Sequence, residues 1–447
     1  MLRKIIIYFF IFFIFCPQSY AKDFKINYEE KLAYVNMDFW SKLGDEKLCG
    51  YISEAVKNNH DARKASYTVE EFNQKIKVTR SREFPFIAVA PAYLGAQVPK
   101  LDNFELSTNA FLLPFLVSYE ADFLLKNHDK TKIEKKTYEI QKLNEKALYI
   151  TMASDVATLY INIMKFDKML ELDEKILDNQ KNLLKKAHLR YDNGIGTKTE
   201  INNAEKEIYT LESNMSEIRK NRRDALFELA VMIGVNPDCI NNLQRSNLDD
   251  FARDYQPPSS ISSDVIFSRP DVLAAEKELE KAKIDINVAR KEFLPRFNIT
   301  GYWIFNTIAP GNFFSWEASL ASLLVGATQD IFTGGRKIAN LKIKKLKYEQ
   351  MFEDYKQTDL TALKEVNAIM CKIKDDNDIF TAIYKKNNSE KDNFRLVNLN
   401  FKEGTASQMD IYVSQIKLYS INQELLNRKA ERFIDYITLY KAAGGNL

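Results

Sequence analysis

Tyr191-Asp192-Asn193-Gly194-Ile195-Gly196-Thr197-Lys198-Thr199-Glu200-Ile201 has a counterpart 210 residues later, Phe401-Lys402-Glu403-Gly404-Thr405-Ala406-Ser407-Gln408-Met409-Asp410-Ile411. In both stretches a glycine is followed three residues on by a hydroxyl side chain, and three further on by a carboxylate. Glycine tolerates the left-handed conformation that ends a helix. A hydroxyl with an acid three residues later is a capping box that starts the next one. Each stretch therefore predicts a helix–turn–helix tip. The same offset joins Asn59-His60-Asp61 to Arg269-Pro270-Asp271, Pro85 to Pro295, and Gly234 to Gly444. Landmarks that keep one spacing imply a tandem duplication, which must be recognised before any fold is assigned.

The segments flanking the tips are long and periodic. Stepping alternately by four and three from Met152 gives Met152, Val156, Leu159, Ile163, Phe166, Leu170, Asp173, Leu177, Gln180, Leu184, Ala187 and Tyr191. Only Asp173 and Gln180 break the apolar stripe. Past the turn, Ile201, Ala204, Ile208, Leu211, Met215, Ile218, Arg222, Ala225, Leu229 and Met232 continue it with Arg222 as the exception. A sustained 3.5-residue repeat predicts coiled-coil packing. The pattern running from about Lys126 to Tyr191 predicts a helix roughly 100 Å long at about 1.5 Å per residue. A hairpin of two such rods exposes apolar surface unless others flank it.

Between the helices lie extended segments, predicted at 84–98 and 104–119 in the first half and at 296–308 and 314–328 in the second. In the run from Phe297 to Asn306, Phe297, Ile299, Trp303 and Phe305 share one face, while Asn298, Thr300, Tyr302 and Asn306 share the other. Period two with one apolar and one polar face fits a strand between lipid and water. Tyr93, Trp303, Phe313, Phe314 and Trp316 supply candidate membrane-interface aromatics.

The chain begins Met-Leu-Arg-Lys, continues with an apolar run of 12 residues from Ile5 to Cys16, and reaches Ser19-Tyr20-Ala21. A basic start, a short apolar core and small residues at the cleavage positions predict a signal peptide over 1–21. The run is too short to span a bilayer, and bulky Phe15 before Cys16 argues against lipidation. Without the leader, 62 basic residues face 61 acidic ones, a balance that offers nothing to nucleic acid. No later run of 18 apolar residues exists, so membrane residence would require a β-barrel. Four strands cannot close one, because closure takes about eight. Oligomerisation follows, with cyclic symmetry as the default. Three remaining cysteines, Cys49, Cys239 and Cys371, exclude a disulfide framework; Cys49 and Cys239 either bridge or stand as two buried thiols. The expected organisation is a first repeat over 22–237, a Pro- and Ser-bearing linker over 238–268, and a second repeat over 269–447.

With these residues in view, the chain resembles the TolC-like outer-membrane efflux proteins, most closely the NodT branch paired with RND-type pumps. The resemblance rests on Phe39 to Asp45, Arg269-Pro270-Asp271, Ala289 to Pro295, Phe332-Thr333-Gly334-Gly335-Arg336 and Tyr440-Lys441-Ala442-Ala443-Gly444-Gly445. It implies a mainly α fold with a membrane β-barrel. In a homotrimer, a twelve-stranded barrel would sit in outer-membrane lipid above a periplasmic α-helical barrel. It implies a periplasmic adaptor (a membrane fusion protein) and an inner-membrane RND-type or ABC-type pump as partners, and no cofactor. Such a duct conducts small molecules out of a Gram-negative cell and is not an enzyme. A type I protein-secretion duct shares the fold, and a soluble periplasmic coiled-coil scaffold is the alternative from another class.

Glu200 and Asp410 are the candidate gate residues. Three-fold symmetry would set their carboxylates in rings around the periplasmic entrance, and such rings select cations. Capping alone accounts for them equally well. Gly194, Thr197, Gly404 and Ser407 mark the tips that the resemblance assigns to adaptor contact. A well-known member latches its closed tip with a tyrosine and an arginine; Phe401 and Ala406 stand at those positions here, and Val413 replaces a further carboxylate. His60, His128 and His188 lack metal-ligand spacing and read as surface or cap residues.

Overall fold

The computed structural model describes residues 24–101, 104–238, 243–249, 251, 255–307 and 313–447. The leader, Cys16 and Cys239 lie outside them. Three short helices open the chain: α1 (Tyr28–Tyr34), α2 (Met37–Lys42) and α3 (Glu46–Asn58). The helix expected over 52–82 is divided at Asn59, whose extended backbone ends α3 while its side chain caps α4 (His60–Arg80). Strands β1 (Phe86–Val89), β2 (Ala92–Leu101) and β3 (Phe104–Ala121) follow, then the long helices α5 (Lys126–Asp192) and α6 (Lys198–Met232). The second half runs through α7 (Ser263–Phe267), α8 (Pro270–Lys291), β4 (Arg296–Asn306), β5 (Ser319–Thr328), α9 (Arg336–Lys402) and α10 (Gln408–Ala442). Helices α5 and α9 each span 67 residues, α6 and α10 each 35, and corresponding helices start 210 residues apart.

Four helices end in the same motif. The amide after each left-handed glycine returns to a carbonyl five residues back: Ile195 to Arg190, Val235 to Ala230, Thr405 to Asn400 and Gly445 to Tyr440. Gly194, Gly234, Gly404 and Gly444 sit at φ +74°, +72°, +78° and +64°. These are Schellman caps, which satisfy carbonyls that the helix itself cannot.

The strands form one antiparallel sheet in the order β1–β3–β4–β5, with β2 also on β3. β1 and β2 act as one strand broken before Pro91, which has no N–H to donate. Register sets Phe115 opposite Trp303, Leu113 opposite Phe305 and Tyr93 opposite Phe111. Trp303 lies opposite Ala321 and Ile299 opposite Val325. Residues directly opposite share a face, so one face gathers Tyr93, Phe111, Phe115, Ile299, Trp303, Phe305 and Val325. Ser118, Glu120, Asn298, Thr300 and Tyr302 lie on the other. β5 begins at Ser319 rather than near 314, because Ser319 N–H bonds the Trp316 carbonyl in a tight turn. Phe313, Phe314 and Trp316 therefore lie on the connection before β5, where Phe313 and Phe314 pack edge-on at 5.0 Å.

The core surrounds the middle of α5, where Tyr149, Val156, Tyr160 and Ile161 are fully buried. One window of α5 is long and apolar enough to cross a membrane, but 61% of it is buried inside the molecule, so it is core. Segments near both ends of the described residues meet there: Phe39 stacks on Tyr440 at 4.5 Å, and the Trp40 indole donates to the Val35 carbonyl at 3.0 Å. Described residues of the expected linker are docked on the core. Phe251 packs on Phe433 at 4.9 Å, and the Ser246 amide bonds the Tyr160 hydroxyl at 2.9 Å. Every position of the predicted α5 stripe up to Ala187, and all of the α6 stripe, is buried or half-buried. Asp173 joins the interior by accepting from Gln423 of α10 at 2.6 Å, and Arg222 bonds Asp167. Cys49 is a half-buried free thiol whose burial pushes its pKa up.

Two outcomes follow. Nothing stands near a Cβ built on Gly404, so Gly404→Val would cost only backbone strain, roughly 1–2 kcal/mol. At Gly234 the added Cβ would also lie 2.6 Å from the Asn58 carbonyl oxygen, so Gly234→Val is expected to be the more damaging in thermal unfolding. Asp435 is buried beside Asp376 and paired with Lys372. Burial above all lifts its pKa to about 6, with Asp376 adding to the rise and Lys372 opposing it. The folded chain thus holds a proton that the unfolded chain releases nearer pH 4, so this group's contribution to stability falls as pH rises from about 4 to 6. Asp435→Asn should flatten that slope in melts recorded across the range.

Candidate functional site

The two tips are built alike but charged differently. At the first, the Thr197 hydroxyl accepts from the Glu200 amide at 3.3 Å. The Glu200 carboxylate faces the Arg190 guanidinium at 3.4 Å, and Arg190 also donates to the Ile195 carbonyl at 3.2 Å. At the second tip the capping box is complete: the Ser407 hydroxyl accepts from the Asp410 amide at 3.3 Å, and the Ser407 amide donates to Asp410 at 2.7 Å. The Ser407 hydroxyl first, then its amide, holds the Asp410 carboxyl below the usual carboxylate range. Among the described residues no cation contacts Asp410.

Capping and gating are therefore compatible. A cap uses one face of the carboxylate, and Asp410 is exposed, leaving its charge to the solvent. Glu200 is half-buried and partly neutralised by Arg190, a residue that sequence reasoning missed and whose equivalent in the second half is Asn400. No hydrogen bond or ion pair joins the two tips among the described residues. Gly194, Thr197, Gly404 and Ser407 are all exposed. Gly196 is constrained by its own turn, since a Cβ there would meet Arg190 at 2.9 Å.

At the other end of the rods, Trp303 packs beside Phe305 at 4.9 Å, and Phe305 meets Phe115 at 6.1 Å and Phe314 at 5.5 Å. Tyr93, Trp303, Phe314 and Trp316 are exposed in the single chain. An exposed aromatic face this broad is a surface made to be covered. No group of three or more His, Cys, Asp or Glu is gathered for a metal among the described residues. His60 opens α4, His188 is exposed, and His128 lies 3.6 Å from Glu83.

Comparison with known proteins matches this geometry. The cation efflux system protein CusC of Escherichia coli K12 is 23% identical over 412 residues, covering 92% of this chain and 89% of CusC. The solvent efflux pump outer membrane protein SrpC of Pseudomonas putida is 22% identical over 406 residues, covering 90% and 86%. Among solved structures, the outer-membrane channel OprN superposes with a TM-score of 0.82 at 16% identity, covering 96% of this chain and 98% of that one. The CmeC outer membrane channel of Campylobacter jejuni gives 0.81 at 19% identity, covering 96% and 90%. The family model for outer membrane efflux proteins matches twice, over residues 51–235 and 261–445, and the chain belongs to the outer membrane efflux protein family.

Proposed function

We propose that three copies of this chain form the exit duct of a tripartite efflux system. Their sheets would close as a twelve-stranded barrel in the outer membrane, and their paired rods would line a tunnel through the periplasm. Residues 22–237 and 269–447 act as two structural repeats, joined by 238–268. A periplasmic adaptor meets the tips at Gly194, Thr197, Gly404 and Ser407, and an inner-membrane pump, RND-type or ABC-type, supplies small-molecule substrate. The acidic side chains Glu200 and Asp410 ring the entrance.

One observation carries the closed ring. Within the chain α5 packs along α10, whereas α9 and α6, the pair related to them by the 210-residue offset, have no comparable contact. The faces that such a contact needs are apolar and uncovered. Ile150 of α5 is 3% exposed, while Leu360, its equivalent on α9, is 61% exposed; Val231 of α6 is also 61% exposed. A neighbouring copy would supply the missing contact, and repeating it closes a heterologous ring.

The decisive measurement is the native mass of protein extracted in detergent from separated outer membranes. A trimer is expected; a monomer in the soluble periplasmic fraction would sink the duct and promote the scaffold. Leu360→Glu should leave each chain folded yet remove about 1.5–3 kcal/mol at every interface, so native mass should shift from trimer to monomer. Replacing Glu200 and Asp410 together with alanine should lower the cation preference of single channels. Because Glu200 already faces Arg190, Asp410→Ala alone should produce most of that change; equal preference in all variants would reduce both residues to helix caps.

A further inference from the structure

The polar face of the sheet ends, at its helix-bearing edge, in a concentration of positive charge. Register places Arg296 opposite Thr328 and Glu120 opposite Asn298, on the face turned away from Trp303 and Phe305. Lys126 meets Glu120 at 2.8 Å, and Lys337, only 8% exposed, reaches Asp330 at 3.1 Å. The Asp330 carboxyl is held below its ordinary range by that lysine, with Arg296 and Arg336 adding to the effect. Burial, then repulsion from Lys126 and Arg82, pushes the Lys130 ammonium below its usual value. These relations gather six cations, Arg82, Lys126, Lys130, Arg296, Arg336 and Lys337, at one level of the fold, with Glu120, Glu292 and Asp330 beside them.

The three arginines of the six make no direct ion pair. Arg82, Arg296 and Arg336 are exposed, and none of their side chains has an ion-pair partner among the described residues. Chain composition does not explain three arginines without ion pairs at one level, since basic and acidic residues number 64 and 61 overall. Local helix electrostatics oppose it as well: α9 begins with Arg336 and Lys337 and has no acid in its first turn, where the helix dipole favours carboxylates.

We propose that these arginines form an anion-attracting collar on the inner wall of the conduit, at the foot of the barrel. This rests on the trimeric duct proposed above. The guanidinium fork suits carboxylate, sulfate and phosphate groups on passing solutes. A narrowing lined by one sign of charge concentrates its counter-ions. The collar opposes in sign the carboxylates at the tips, so the two ends of the conduit discriminate differently.

The test uses intact trimers in planar bilayers of zwitterionic lipid, with citrate added on the barrel side. Citrate should reduce the wild-type current, and the triple variant Arg82→Glu, Arg296→Glu, Arg336→Glu should need about ten times more citrate for the same reduction. A triple lysine variant, which keeps the charge, should respond as wild type does. Equal citrate sensitivity in the glutamate variant would overturn the collar. So would a difference seen only in bilayers containing anionic lipid, because the arginines would then face headgroups, not the conduit. If the glutamate variant fails to assemble, Arg296→Gln alone carries the test and should shift the response in the same direction. A wild type that forms trimers and channels but ignores citrate refutes the collar alone, whereas a wild type that forms no trimer refutes the duct beneath it.

Discussion

The fold depends on burying the middle of α5. A helix of 67 residues gains little from a narrow coiled-coil seam, and helical stability in proteins comes mostly from tertiary packing of an apolar face. Around Tyr149 to Met164 that face is enclosed by α3, α4 and α10. Each large side chain buried there contributes about 1.5–3 kcal/mol. The polar groups brought inside are paired: Lys31 with Glu145 at 2.9 Å, Ser66 with Glu145 at 2.5 Å, and Tyr160 with Asp45 at 3.0 Å. Losing one partner of such a buried pair would leave the other charge stranded. Lys31, Asp45 and Ser246 thus draw the amino-terminal helices and the inter-repeat segment onto the same helix, which lets a chain of rods possess one core.

Away from that core the rods are incomplete. The α5 stripe finds α10 inside the chain, but α9 keeps Leu360 and Ile343 in the open. The sheet shows the same condition among the described residues, with its aromatic face uncovered and its outer strands unpaired on one side. Exposed strand edges and apolar faces are liabilities for a soluble monomer. In a membrane-spanning ring both are resolved at once, since closure removes the edges and lipid covers the aromatic face. The rods and the sheet thus favour the same assembly for independent physical reasons.

Much of this was legible in the residues. The tips were, because Gly194 and Gly404 with their hydroxyl–acid pairs encode caps locally. The α5 and α6 stripes were, because a 3.5-residue period survives three polar interruptions. Those interruptions, Asp173 and Arg222 in particular, became intelligible only when partners distant in sequence came into contact: Gln423 for one, Asp167 for the other. The break at Asn59 was missed because apolar periodicity runs through it while the cap is a matter of one backbone torsion. The linker was expected only as a connection, because Pro257, Pro258 and Ser259 carry no packing signal, although Phe251 a few residues earlier is an anchor. In the first-half strands Leu112, Pro114 and Leu116 blur the alternation. Their faces could be assigned only through pairing with β4. Arg190 was invisible because its role at Glu200 depends on the turn bringing the two together.

The two halves also differ in a consistent direction. In the first, α5 is capped by Asp122, which accepts from the Lys126 amide at 2.7 Å and the His128 amide at 2.9 Å. Leu125 takes up a left-handed conformation at φ +56°, and its carbonyl accepts from Lys291 at 3.1 Å. In the second half the equivalent position is Gly335 at φ +81°, and α9 has no side-chain cap. At the tips, Glu200 has Arg190, while Asp410 has only Ser407. The first half therefore neutralises its helix ends internally, whereas the second leaves charge open to solvent at both ends of its rod. The open charges of the rods therefore lie on α9 and α10, and the first half acts chiefly as the frame that holds them.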